Sequence, residues 1–182
     1  MSARTFGLVS LTILITTASI SLAIADQSRL DKIHRDIVSK YSDVKHLGAV
    51  EFQAMEDSAV VVFDVREEEE FAVSHIDRAV RVDPDIELTD FVSKYSMQLA
   101  GKTIVFYCSV GRRSSELATQ LSGILKTSGA VASYNLTGGI FRWHNEQRPL
   151  ISLNKQETTF IHPYNFYWGR LIDDRAAIRY KP

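Results

Sequence analysis

Apolar residues gather in three compact runs, SAVVVFDV, KTIVFYC and GAVASYNL, each bounded by charged or glycine-containing segments. Short runs of this kind, rich in β-branched and aromatic residues, predict buried strands. Around them the apolar positions spread to helical spacing. Leu30, Ile33, Ile37 and Val38 recur in SRLDKIHRDIVSKY, Ile86, Phe91, Tyr95 and Leu99 in DIELTDFVSKYSMQL, and Leu117, Leu121, Ile124 and Leu125 in SSELATQLSGIL. Shorter pieces fill the gaps. VKHLGAVEFQAM reads as a strand entering a short helix, and RAVRVD as a brief strand stopped by Pro84. REEEEFAVSHI reads as a short helix or turn, whose Glu67–Glu70 run is expected to be a solvated helix start. TGGIFRWHNEQRPL turns on two glycines into a helix that ends before Pro149. Strands alternating with helices predict an α/β fold with a mostly parallel central sheet.

The two ends depart from this pattern. MSAR carries a positive charge, GLVSLTILITTASISLAIA is apolar, and Ala23-Ile24-Ala25 is a small-x-small site. Residues 1–25 therefore read as a secretory signal, with export to a bacterial periplasm expected; an uncleaved membrane anchor is the alternative. Residues 26–43 form an N-terminal helical segment, and residues 44–150 the domain. Residues 151–182 are rich in aromatics, among them Phe160, Tyr164, Phe166, Tyr167 and Trp168, and show no period. They are expected to form an irregular arm packed across the domain, with partner binding as the sharper alternative.

Composition narrows the function classes. The chain has 182 residues, 45% hydrophobic and 24% charged, with a formal net charge of -1. That balance suits one globular domain and gives no whole-chain electrostatic footprint for nucleic acid. The five histidines are far apart in sequence and lack metal-ligand spacing, so no metal or other cofactor is expected. Asn135-Leu136-Thr137 matches a glycosylation acceptor, but at a strand end where a glycan would clash.

The chemistry concentrates at the single cysteine. Cys108 ends the second strong strand, and Ser114 opens the helix that follows. A tight loop between a strand and a helix directs backbone N–H groups and the positive end of the helix dipole into one space. Gly111 permits the turn, and Arg112 and Arg113 add charge. Such surroundings favour thiolate over thiol and would hold a small anion. A buried, inert cysteine is the alternative.

Cys108-Ser109-Val110-Gly111-Arg112-Arg113-Ser114 resembles the active-site loop of the rhodanese family, Cys-x-x-Gly-x-Arg-Ser/Thr. VVFDVREEEEFAVSHIDRAV resembles the family's stretch around Asp-Val-Arg and Gly-His-Ile, and NLTGGIFRWHNEQRPL its Gly-Gly-x-x-x-Trp ending. The three blocks stand in the family's order. The resemblance implies a single rhodanese-like domain with helices on both faces of the sheet. It implies sulfur transfer through a persulfide on Cys108, from a small sulfur anion such as thiosulfate to a thiol or cyanide. Arg113 would brace the loop, and the backbone of Ser109, Val110, Gly111, Arg112 and Ser114 would cradle the substrate. Asp64 and Arg66 would support the loop from the core. Ser74 and Arg78 stand where the family has glycines.

Two rival readings share this resemblance. Some cysteine phosphatases and arsenate reductases look like rhodanese domains, with one more residue between cysteine and arginine. Four residues separate Cys108 from Arg113, which suits a single bulky sulfur better than a tetrahedral oxyanion. The other rival is a sulfur carrier, redox sensor or binding module without turnover, with the aromatic tail docking a partner.

Overall fold

The computed structural model describes residues 29–182. The segment read as an export signal lies outside the described residues. A helix, α1, runs over residues 29–40 and buries Leu30 and Ile37, in line with its apolar spacing. The chain continues through β1 (His46–Leu47), α2 (Ala49–Gln53), β2 (Val60–Asp64), α3 (Glu68–Val73), β3 (Val80–Arg81) and α4 (Leu88–Tyr95). It then forms β4 (Thr103–Tyr107), α5 (Arg112–Thr127), β5 (Ala132–Leu136) and α6 (Gly139–Asn145). The last elements are the hairpin of β6 (Leu150–Ile151) and β7 (Glu157–Thr158), and the single turn α7 (Phe166–Gly169).

Five strands form one parallel sheet in the order β1-β5-β4-β2-β3. Side chains alternate across it, as the period of two in a strand requires. Val62 pairs with Val105 in register, and both enter one core with Phe52, Ile140, Phe141 and Trp143. Phe63 pairs with Phe106, and both enter the opposite core with Phe91, Leu117 and Leu121. The Phe63 and Phe106 rings stack at 5.5 Å. Helices thus cover both faces, and each fully buried Leu or Phe contributes about 2 kcal/mol through removal from water. Because the strands are parallel, their carboxyl ends share one edge, where such sheets place their ligand sites.

The tail is built into the first core. Ile161, Leu171, Ile172 and Ala177 are buried there beside Leu30 and Trp143, and Ile161 pairs with Ile178 in an isolated bridge. Ile151 exchanges two backbone hydrogen bonds with His75, each 2.9 Å, so the hairpin anchors the tail to the turn after α3. Phe166 and Tyr167 remain exposed. At Arg78, where the resemblance led us to expect glycine, φ is +64°. The turn keeps the left-handed conformation that glycine serves without strain.

Ile172 has no solvent exposure. Ile172→Ala is expected to lose about 2–5 kcal/mol of stability. A urea midpoint unchanged from wild type would show that the tail does not contribute to the core.

Candidate functional site

Cys108 stands immediately after β4, at the carboxyl edge, with 1% of its surface exposed. The chain then turns within three residues into α5. The Gly111 N–H donates to Cys108 Sγ at 3.2 Å, so the loop closes on its own sulfur. Gly111 has φ +99°, and a Cβ there would lie 2.8 Å from Asn135 Nδ2. Both the backbone angle and the space demand glycine. The Ser114 hydroxyl donates to Asn135 Oδ1 at 2.6 Å and ties the start of α5 to β5. Ser115 N–H and Oγ–H both donate to the Gly111 carbonyl. The amides of Arg112, Arg113 and Ser114 have no helical carbonyl one turn back, as at any helix start, and give this end of the 16-residue helix its positive character.

The loop's orientation comes from α6. Ile140 N–H donates to the Cys108 carbonyl at 2.9 Å, and Phe141 N–H to the Ser109 carbonyl at 3.0 Å. These two amides of α6 would otherwise lack partners. A trans peptide sets its N–H opposite its C=O. With both carbonyls drawn toward α6, the N–H groups of Ser109 and Val110 face away from it. Gly139 makes this approach feasible: a Cβ there would meet Cys108 O at 2.3 Å.

Arg113 is held by Glu70 and Ser109. Its Nη1 and Nη2 donate to the two Glu70 oxygens at 2.8 and 3.0 Å, and Nη2 also donates to Ser109 Oγ at 3.0 Å. Ser109 Oγ–H donates to Glu70 Oε1 at 2.7 Å. Glu70 is 1% exposed, which corrects the expectation of a wholly solvated Glu67–Glu70 run. Burial pushes the Glu70 pKa up, but the hydrogen bonds and charge of Arg113, with help from Arg66 and Ser109, hold it below its usual value. Burial likewise opposes the Arg113 charge, and Glu70, followed by the Cys108 sulfur, keeps its pKa raised. The Tyr164 ring of the tail covers the guanidinium, 4.8 Å from its carbon.

Asp64 and Arg66 form a second buried pair beside this one. Arg66 Nε and Nη2 donate to the Asp64 oxygens at 2.8 and 2.6 Å, and Nη2 to the Ser74 carbonyl at 2.7 Å. The guanidinium lies over the Tyr107 ring, whose hydroxyl accepts from Ile76 N–H. These two residues lock the carboxyl ends of β2 and β4 to the Ser-His-Ile turn.

The structure therefore gathers Cys108, Ser109, Val110, Gly111, Arg113 and Ser114 around one loop, with Asp64 and Arg66 in support. Arg112 lies at the same helix start but is exposed. Sequence reasoning missed Glu70, Asn135 and Tyr164. Glu70 had a signal: it stands three residues before buried Val73, on the same helical face. Asn135 is fully buried, so the Asn-Leu-Thr acceptor is not accessible. His75 stacks on Phe71 at 3.9 Å, and Trp143 donates to the Pro149 carbonyl at 2.8 Å, both packing roles. Among the described residues, no group of three or more His, Cys, Asp or Glu is placed to hold a metal ion.

Over residues 49–146 the chain matches the family described as Rhodanese-like domain. It is 40% identical over 101 residues to a tRNA uridine(34) hydroxylase of Bacillus pumilus, covering 53% of this chain and 30% of that protein. It is 34% identical over 149 residues to a tRNA uridine(34) hydroxylase of Staphylococcus haemolyticus, covering 72% and 46% respectively. The chain thus spans less than half the length of these curated relatives. Among solved structures, a thiosulfate sulfurtransferase of Pseudomonas aeruginosa superposes with a TM-score of 0.53 at 20% identity, over 68% of this chain and 22% of that one. A Rhodopseudomonas palustris protein of unknown function, described as a possible tyrosine phosphatase, gives 0.52 at 20% identity, over 64% and 92%. At these identities the likeness is one of fold.

Glu70→Gln removes the carboxylate that grips Arg113 at two points and is expected to lose about 3 kcal/mol at pH 7. The sign of the pH effect follows from the lowered Glu70 pKa. The increment is present above the unfolded value, about 4.3, and is lost as pH falls through the lower folded value. Urea midpoints of wild type and variant should converge on acidification, and a constant gap down to pH 3 would contradict the pair. Gly139→Ala is expected to lose about 2 kcal/mol or more through its backbone clash. A wild-type melting curve would show that α6 does not fix the loop as described.

Proposed function

The chain belongs to the rhodanese-like domain family, and we propose that it acts there as a sulfurtransferase that carries sulfane sulfur as a persulfide on Cys108. The observation that carries this reading is the loop itself. One sulfur sits at the centre of a turn whose Gly111 amide already donates to it, at the start of a 16-residue helix. A terminal persulfide sulfur would enter the same ring of N–H groups that faces away from α6.

The reaction is a two-step transfer. The Cys108 thiolate attacks the outer sulfur of the donor, the donor's S–S bond breaks, and sulfite leaves when the donor is thiosulfate. A thiol or cyanide then takes the outer sulfur and regenerates the thiolate. Such covalent catalysis needs a positioned nucleophile and amides aimed at an anionic intermediate. Arg113, fixed by Glu70 and Ser109, braces the loop through both half-reactions. The six-residue loop favours this reading over a phosphatase despite the shared fold.

The curated relatives supply a second reading. Their name assigns them action on tRNA uridine 34, and 40% identity over 101 residues carries that reading toward this chain. A carrier or sensor without turnover is a third, and a protein partner on the tail fits it. Export through residues 1–25 belongs to the proposal too, and N-terminal sequencing of the secreted protein should begin at Asp26.

The deciding experiment is intact mass after incubation with a sulfur donor, alongside thiocyanate formation from cyanide. Wild type is expected to gain one sulfur atom and turn over, while Cys108→Ser does neither. Sulfur gain without turnover would favour the carrier. No gain, together with hydroxylation of a tRNA substrate, would favour the second reading. Arg113→Lys cannot reproduce the paired contacts to Glu70 and is expected to lower kcat/KM roughly 10- to 100-fold.

A further inference from the structure

Two of the arginines at the loop, Arg113 and Arg66, are held by carboxylates. Arg113 commits three N–H contacts to Glu70 and Ser109, and its Nη1 also lies 3.6 Å from Glu67 Oε1. Tyr164 covers one face of the guanidinium. Tyr164 lies beyond the family match, which ends at residue 146. It holds φ at +65°, a conformation a bulky residue rarely adopts, fixed by its N–H donating to His162 Nδ1 at 3.1 Å. Arg66 is fully buried and paired with Asp64. Arg66 Nη1 lacks a hydrogen-bond partner but is sealed from solvent, and Arg113 is held by Glu70 and Ser109.

The rest of the carboxyl edge is acidic. β2 leads into Glu67, Glu68 and Glu69, and β3 into Asp83 and Asp85, all exposed or half-exposed. The bases on this edge are exposed Arg112 and half-buried Arg81, and Arg81 lies 3.6 Å from Asp83. Glu67 reports the local field. Burial raises its pKa; Arg113 opposes this, and Glu70, Asp83 and Asp85 add to it, so the carboxyl stays above its usual range beside a guanidinium.

We infer that Tyr164 and the acidic rim of Glu67, Asp83 and Asp85 make this site selective for a sulfur donor without an oxyanion, a persulfide on a neutral or cationic carrier. This rests on the sulfurtransferase reading. Thiosulfate is a dianion whose sulfonate would meet more exposed carboxylates than Arg112 can offset, whereas a persulfide presents only its terminal sulfur to the amides. In the loading step the Cys108 thiolate attacks that outer sulfur, and the donor's S–S bond breaks. The carrier leaves as a thiolate and takes the proton of the transferred sulfur. The products are the Cys108 persulfide anion and a free thiol, with no outside oxidant or reductant.

The test is the rate at which the full chain gains one sulfur, followed by intact mass, with thiosulfate and with cysteamine persulfide. Salt is varied from about 0.01 M to about 0.3 M, where the screening length falls several-fold. Thiosulfate loading is expected to accelerate with salt, as like charges are screened, and cysteamine persulfide loading to slow. Glu67→Gln combined with Asp83→Asn should speed thiosulfate loading at low salt and remove most of its salt dependence. Tyr164→Ala should shift the thiosulfate-to-persulfide rate ratio toward thiosulfate by roughly tenfold, one uncovered charge-assisted contact. The acidic variant keeps the proposal decidable if Tyr164→Ala loosens the tail. Thiosulfate loading that slows with salt, or a ratio that neither variant moves, overturns the inference while leaving sulfur transfer intact. Failure of both donors to load Cys108 overturns the sulfurtransferase reading and this inference with it. A basic peptide carrying a cysteine persulfide, run beside cysteamine persulfide, assigns the carrier by whichever loads faster.

Discussion

Two peptide carbonyls decide whether this protein has a site. Those of Cys108 and Ser109 accept from the first amides of α6 and are thereby turned away from the space around the sulfur. Flipped inward, they would line that space with negative ends of dipoles and oppose any anion there. The requirement reaches far along the chain. β5 must deliver Gly138 and Gly139 alongside β4, and residue 139 must lack a Cβ. Trp143 and Phe141 must then seat α6 in the core. The loop is thus shaped from outside itself, by a helix some thirty residues downstream.

The second constraint is the pairing of buried charge. Asp64–Arg66 and Glu70–Arg113 stand side by side, three of the four residues almost wholly buried. Pairs of this kind return little net stability, because desolvation consumes most of the attraction. What they supply is position. A planar guanidinium gripping a carboxylate at two points fixes direction as well as distance. One pair orients the turn beneath the loop, the other the serine within it. The same pairing offsets the charge of these two arginines, so the positive character at the loop comes from backbone amides and the helix start, with Arg112 exposed beside them.

Much of this was legible in the sequence, for physical reasons. The dense runs VVVFD and TIVFY announce buried parallel strands because both faces of each are covered. Cys108 and Gly111 could be read because a strand, a turn and a helix in that order leave the backbone few paths. Glu70 was obscured by its company. Four consecutive glutamates look like solvent, and only the three-residue step to Val73 marks the one that turns inward. The tail was legible only as an irregular packed arm; which residues it buries was not, since Ile161, Leu171, Ile172 and Ala177 belong to turns and a bridge without a helical or strand period. Its Tyr164 contact with Arg113 depends on a backbone angle that composition does not reveal.

That tail has a consequence for the order in which the molecule can be completed. Leu30, near the start of the described chain, shares a core with Ala177, and the segment between them includes every part of the loop. Chains leave the ribosome from the N-terminal end. Cys108 therefore emerges with its strand and helix while the residues that finish the core beneath them, and the ring that covers Arg113, are still unmade. The surroundings of the loop are complete only once residues 161–177 have been made.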